Sequence, residues 1–236
     1  MSSNQMFFDE VINEAIEFYK SEETQSVLDQ FLNQVEHFFK TNHTLKKSKV
    51  IHSIKARQKD PEHLRDKLLR KKENGITVTK QTLFKNITDL NGVRILHLYQ
   101  GQFPIIHQEI MKKIDQLGDW KLVESPKAYT WDQESQHFYE KLNIKTKVKD
   151  TYYTSVHYVV KPNNEKSDIT CEIQVRTLFE EIWGEINHTI NYPHETESIA
   201  CKEQIKVLAK LVSTGTRLAD SIFRTYDDYT KQKNFD

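Results

Sequence analysis

The chain reads as an α/β (α+β) protein: a mixed central β-sheet of about five strands flanked by helices, with helical extensions at both ends. Three observations predict it. Apolar residues recur at helical spacing over residues 5–20, 24–40, 102–117 and 197–230. Alternating or β-branched runs at residues 49–57, 92–98, 120–123, 155–161 and 168–175 are interleaved with them. The 236 residues, 37% apolar and 11% aromatic, are enough to bury one sizeable core and argue against disorder.

Taken in order, residues 5–20 carry a stripe of Val11, Ile12, Ala15, Ile16 and Tyr19, and residues 24–40 a second of Leu28, Phe31, Leu32, Val35 and Phe39. Residues 9–36 hold eight acids against Lys20 alone, so an acidic helical hairpin is expected, acting as a lid on the core or as a regulatory segment. Residues 49–57 suit a first strand. Asp60-Pro61 then places an N-cap and a first-turn proline at the head of a helix carrying His63, Lys67 and Arg70. Residues 73–86 read as a loop with a β segment near Ile76–Val78. Asn91-Gly92 falls inside a run that continues to Leu98, where a glycine marks close backbone approach or a bulge. Residues 125–150 read as a lysine-rich loop with some helix. Pro162-Asn163-Asn164 turns the chain into the strand Ile169–Val175, whose outward positions are Thr170, Glu172, Gln174 and Arg176. Thr177 can cap a helix whose apolar side is Leu178, Ile182, Trp183 and Ile186. The last helical region is expected to break near Ser213–Gly215 and to cap the sheet or meet a partner. Three segments are expected: an extension at 1–45, a core at 46–195 and a helical region at 196–236.

Composition removes several function classes. Lys+Arg and Asp+Glu both total 34, so mean charge selects no partner. The distribution is informative: residues 46–72 hold eleven bases against three acids, the footprint of a local anion site or a nucleic-acid face. Cys171 and Cys201 are too few for a disulfide framework or a zinc site and suit a reducing, cytoplasmic setting. Neither a signal peptide nor a membrane span is expected.

The basic helix after Asp60, preceded by Arg57 and Lys59, makes a polyphosphate cradle. Asp89 precedes one strand and Glu172 sits on another; if those strands are neighbours, the two carboxylates converge. Two carboxylates, phosphate-binding bases and no Walker loop describe Mg²⁺-dependent group transfer from a nucleotide.

Four separated motifs then resemble one family, the RelA/SpoT alarmone synthetases. Arg57-Gln58-Lys59 through His63 and Lys67 is similar to its R-x-K-(x)3-S-(x)3-K element, and Asp89-Leu90-Asn91-Gly92-Val93-Arg94-Ile95 to its D-I-A-G-I-R-I strand. Tyr153-Thr154-Ser155-Val156-His157 resembles its Y-x-S-x-H loop. Glu172-Ile173-Gln174-Val175-Arg176-Thr177, leading to Trp183, His188 and Tyr192, resembles E-[IV]-Q-[IV]-R-T followed by W, H and Y. The resemblance covers residues 50–195 and implies a nucleotidyltransferase-like synthetase fold and transfer of the β,γ-diphosphate of ATP to the 3′-hydroxyl of GDP or GTP. Carried over, Arg57 and Arg94 would sandwich adenine, and Lys59, His63, Lys67 and Arg70 would complete the ATP site. Asp89 and Glu172 would bind Mg²⁺, with Glu172 also taking the acceptor's proton. Tyr153 would stack on the acceptor base, with Ser155, His157, Gln174, Arg176 and His188 on the acceptor side.

Three positions depart from the family pattern: His63 replaces Ser, Tyr152 replaces the Gly before the stacking Tyr, and Glu181 stands where some small synthetases place an Asn near guanine. The length suits a small synthetase without the hydrolase and regulatory domains of long members. An alternative acceptor is the 3′ CCA end of tRNA, modified by toxic members that block translation, with lysines at 141, 145, 147 and 149, and those at 46, 47 and 49, facing RNA phosphates. That reading brings in an antitoxin protein as partner, and the C-terminal helices are compatible with a homo-oligomer. A non-catalytic nucleotide-binding module is the third reading, opposed by the intact pair Asp89 and Glu172.

Overall fold

The structure is a computed structural model that describes residues 3–165, 167–192 and 194–233, with side chains from residue 9 onward. The helices are α1 (Ser3–Lys20), α2 (Glu22–Thr41), α3 (His43–Ser48), α4 (Pro61–Glu73), α5 (Leu83–Asn86), α6 (Phe103–Asp115), α7 (Gln133–Lys141), α8 (Leu178–Asn191) and α9 (Ile199–Lys233). The strands are β1 (Ser53–Gln58), β2 (Asn91–His97), β3 (Trp120–Leu122), β4 (Lys127–Thr130), β5 (Lys145–Val148), β6 (Ser155–Pro162) and β7 (Cys171–Thr177).

The seven strands form one mixed sheet in the order β1-β2-β7-β6-β4-β5, with β3 and β4 end to end along one edge of β6. The two strands beyond the expected five are β4 and β5, both inside the stretch read as a loop. Each is only four residues long, and β5 is largely exposed. Such strands exist through their pairing to β6 and to each other and leave little hydrophobic pattern of their own. Conversely, Ile76–Val78 forms no strand, and the chain there runs on into α5.

Alternation divides the sheet as its residues require. Val93 and Ile95, Ile173 and Val175, and Val156, Tyr158 and Val160 point into the core. The acidic hairpin is part of that core: Ile16, Tyr19, Leu28, Val35 and Phe39 are buried in the same cluster as the sheet. Gln58 donates to Asp29, and the amide of the buried Asn91 donates to the Leu28 carbonyl, so α2 is tied to β1 and β2. The hairpin therefore backs the sheet on the face away from the site.

The predicted caps form. Asp60 accepts from the backbone of Glu62 (2.8 Å) and His63 (3.2 Å) at the start of α4. Thr177 and Glu180 make a reciprocal capping box at α8. The stripe of α8 is only half used: Trp183 is buried and donates its indole N–H to the Ile205 carbonyl, while Ile182 and Ile186 are exposed. No break occurs near Ser213–Gly215. Helix α9 continues through it, and Gly215 serves packing, because a Cβ there would stand 2.9 Å from the Phe179 ring. The outer stripe of α9, Val207, Leu211, Leu218 and Ile222, is exposed. Among the described residues no helix is long and apolar enough to cross a membrane.

Glu180 carries a pH signature. Burial pushes its carboxyl up to about 7, against the opposing hydrogen bonds from Thr177. The folded state then holds this proton more tightly than the unfolded chain, so the group's contribution is full below the ordinary 4.5 and lost as pH rises to about 7. Glu180→Gln keeps an acceptor for the cap without the buried charge. It is expected to be more stable than the parent at pH 8 by about 1–3 kcal/mol, with the difference gone at pH 4, measured by urea unfolding across that range.

Candidate functional site

Sheet register gathers the motifs. Strand β1 runs antiparallel to β2, and β2 parallel to β7, so Arg57, Gly92 and Glu172 lie side by side. One pleat further, a single row crosses the sheet through Lys55, Arg94, Gln174, His157, Lys127 and Lys145. These side chains stand on the face opposite the core. Over them lies a cavity of about 890 Å³, walled by β1, by His63 and Arg70 of α4, by Lys149, Thr151 and Tyr153 before β6, and by α8 from Trp183 to Asn191, with Tyr192 just beyond it. Below it an inner cavity of about 70 Å³ is lined by Asp89, Gly92 and Glu172 together with Arg57, Lys59 and Arg94. The two carboxylates expected to converge thus share one cavity.

Each is held ionised by its neighbours. Burial pushes the Asp89 carboxyl up, but Lys67 at 2.7 Å and Lys59 at 2.9 Å outweigh it and leave it below the usual carboxylate range. Glu172 is likewise pushed up by burial and brought below its ordinary value by His157 (3.0 Å) and Gln174 (2.7 Å), although the nearby Asp89 opposes this. Because ionised Glu172 can only accept, His157 Nδ1 must donate to it. A neutral His157 can then accept the Tyr153 hydroxyl at Nε2, 2.9 Å away.

The pair fits a divalent cation of the kind that arrives with phosphates. Both acids are anionic oxygen donors on one cavity, and the buried Asp89 Oδ1 is met by the Lys67 ammonium at 2.7 Å, a cationic partner that a metal ion could replace. Among the described residues no group of three or more His, Cys, Asp or Glu builds a closed cage. Such an ion is commonly bound by one or two carboxylates, with water and substrate oxygens completing its shell.

The other predicted positions divide. Arg57, Lys59, His63, Arg70, Arg94, Tyr153, His157, Gln174, Arg176 and His188 all line the large cavity. Lys67 does not, and its ammonium is engaged by Asp89. Ser155 is fully buried and donates to the Val175 carbonyl, so it supports the strand. His188 stacks on Tyr192 (4.6 Å), whose ring meets His63 edge-on (4.9 Å) and whose hydroxyl donates to Asp66. His188 thus belongs to the cavity wall built with α4.

Tyr152 explains one departure. Its φ is +61°, the left-handed region that glycine adopts freely and that costs another residue about 1–2 kcal/mol. Its ring offsets this by packing 5.0 Å from Trp131 and against the cluster of Trp183, Ile205, Ala209 and Val212. The loop that carries Tyr153 is therefore moored to α9.

Sequence reasoning missed Lys55, Tyr129 and Gly184, named Lys149 only as a contact for RNA phosphates, and noticed Glu181 only as a departure. The alternation of Lys127-Ala128-Tyr129-Thr130 could have signalled the strand that brings Tyr129 in. Nothing local could have signalled Glu181, which is buried among cations from three strands: Lys55 at 2.7 Å, Arg94 at 2.9 Å, and Arg176. Burial pushes its carboxyl up, but Lys55, Arg176 and Arg94 bring it down to about 2.

Fold and site together give a protein with a basic cavity and two carboxylates on one face of a mixed sheet, with no Walker loop. The chain belongs to the RelA/SpoT family of pyrophosphotransferases: the sequence profile described as "Region found in RelA / SpoT proteins" matches residues 56–197, more than half its length. Solved structures share the fold. Small alarmone synthetase 1 from Bacillus subtilis superposes with a TM-score of 0.65 at 18% identity, over 90% of this chain and 99% of that one. The same synthetase bound to its product pppGpp gives 0.61 at 20% identity, over 85% and 93%. A GTP pyrophosphokinase family protein from Streptococcus pneumoniae gives 0.61 at 18% identity, over 100% and 99%. Among curated proteins, none matches the chain at the sequence level.

Gly92 tests the inner cavity. A Cβ there meets only ordinary contacts, with Arg57 and Glu172 carbonyl oxygens at 3.9 Å, so Gly92→Ala should fold normally. Gly92→Leu should fill the space between Asp89 and Glu172. Transferase activity is expected to fall at least 100-fold while the thermal midpoint stays within a few degrees, read by product formation and by circular dichroism melting.

Proposed function

We propose that this protein transfers the β,γ-diphosphate of ATP to the 3′-hydroxyl of GDP or GTP, making (p)ppGpp. The observation that carries the reading is the shared inner cavity of Asp89 and Glu172, opening onto a basic groove. The product-bound Bacillus subtilis synthetase supports it by fold.

The donor base would lie between Arg57 and Arg94. These are diagonal neighbours on β1 and β2, since Arg94 is in register with Lys55 and Arg57 with Gly92. Diagonal pairs stand about 7–8 Å apart, which admits one flat ring between two guanidinium planes. Lys59, Lys67 and Arg70 would take the phosphates. Both lysines must then shift from Asp89, exchanging one anionic partner for another at little cost in desolvation. Mg²⁺, held by Asp89 with Glu172, would supply charge neutralisation at the transferring phosphates. Glu172, kept ionised at neutral pH, would take the acceptor's proton as the hydroxyl attacks. His157 would orient Glu172 and link it to Tyr153, the acceptor stacking platform, with Gln174 and Arg176 beside it. An extension at 1–45, a catalytic core at 46–195 and a helical region at 196–236 remain the proposed division, and the exposed stripe of α9 suits a homo-oligomer.

A second reading keeps the donor site and takes the 3′ CCA end of tRNA as acceptor. It is favoured by one feature: Lys149 lines the cavity mouth over the Tyr129 ring, 5.0 Å away, and Lys147 and Lys145 continue from it along the sheet edge. Such a track suits a polyanion entering the site, and an antitoxin partner would accompany a toxic activity.

Incubation with Mg²⁺ and ATP labelled in its outer phosphates, with GDP in one arm and bulk tRNA in the other, separates the readings. Label in a guanosine tetraphosphate supports the first, and label on RNA the second. Glu172→Gln is expected to reduce either by at least 1,000-fold. Label that never leaves ATP or its hydrolysis products in both arms sinks the transferase reading.

A further inference from the structure

We infer that Glu181 is a positioning residue that couples the donor half of the site to the acceptor half. The inference rests on the nucleotide-transfer reading for what the two halves bind.

The geometry is a carboxylate shared by three strands. Glu181 Oε1 accepts from Lys55 of β1 (2.7 Å) and from Arg94 of β2 (2.9 Å). Its Oε2 accepts from Arg94 (3.1 Å) and pairs with the Arg176 guanidinium of β7. Glu185, one turn on, accepts from the same Arg94 nitrogen at 2.8 Å. These acids all hold one nitrogen, Nη1, and so anchor one end of the Arg94 guanidinium.

On the acceptor side, Arg176 is 4% exposed, and its niche exists because position 184 has no side chain: a Cβ on Gly184 would stand 2.7 Å from Arg176 Nη1. The guanidinium lies 5.8 Å from the Tyr153 ring centroid, and Tyr153 joins His157, which joins Glu172. From Arg94 to Glu172, each side chain touches the next. Three cations converging on one side of a cavity would repel one another without the acid between them. A donor that draws on Arg94 must also redistribute Glu181's bonds to Arg176, and so the seat of the acceptor platform. Linkage requires the effect to be reciprocal.

The test measures binding, apart from turnover. The affinity of AMPCPP with Mg²⁺ is determined by calorimetry with and without saturating acceptor, and the acceptor's with and without saturating AMPCPP. GDP and a short CCA-ended RNA hairpin serve as parallel acceptors. The parent protein is expected to show mutual tightening of about 5- to 20-fold. Glu181→Gln should reduce that factor below twofold, and Glu181→Asp, which keeps the charge, should restore most of it. Gly184→Ala, which displaces Arg176 and leaves every charge in place, should lose the factor as Glu181→Gln does, and it decides the matter if Glu181→Gln does not fold. A purely architectural Glu181 would lower the melting temperature and leave the factor intact. Full coupling in Glu181→Gln or, where that does not fold, in Gly184→Ala overturns the inference, as does a parent that binds both nucleotides independently. A parent that binds neither AMPCPP nor either acceptor overturns the nucleotide-transfer reading instead.

Discussion

The parallel pairing of β2 with β7 is the constraint on which the rest of the structure depends. Residues 98–170 intervene between them, and the sheet order places the two strands together before any of the intervening strands. Their register sets Gly92 beside Glu172 and Arg94 beside Gln174. A slip of one residue would turn the acid and the arginine into the core and the valines and isoleucines outward. Because the opposite face is packed with Val93, Ile95, Ile173 and Val175, that slip is strongly disfavoured. The hydrophobic core thus holds the polar residues in place without touching them.

The open face is organised as acids already engaged by cationic or neutral donors. Asp89 sits between Lys59 and Lys67, Glu172 between His157 and Gln174, and Glu181 among Lys55, Arg94 and Arg176. A buried carboxylate without such partners would lose its charge. The same pairing keeps the bases oriented toward the cavity before any phosphate arrives, so reorganisation on binding is a change of partners within a fixed frame. The loop that carries Tyr153 is fixed differently. Tyr152 accepts a strained backbone and is held by aromatic packing to α9, so the last helix helps shape the site although it supplies no lining residue.

Much of this was legible residue by residue. The caps at Asp60 and Thr177 act through atoms two or three positions away, and alternation in Ile169–Val175 reports a half-buried strand directly. Short strands were not legible: Lys127–Thr130 and Lys145–Val148 owe their conformation to neighbours across the sheet. Gly215 was misread for a related reason. A glycine is a helix breaker by propensity, but here the Phe179 ring occupies the space a side chain would need, and packing overrides propensity. The first two helices were legible as a lid on the core because their apolar stripes are continuous, and those stripes pack behind the sheet.

The sequence by itself determined the fold class, the helix starts, the family and the residue types at the site, because each depends on periodicity, local capping or ordered motifs. Only the tertiary structure decided which side chains meet. Asp89 and Glu172 share a cavity, Ser155 is buried in the sheet, and Glu181 ties together cations from three strands. Such contacts join residues as far as 126 positions apart. They follow from strand order and register, which are set by burial of the whole sheet and are encoded in no short segment.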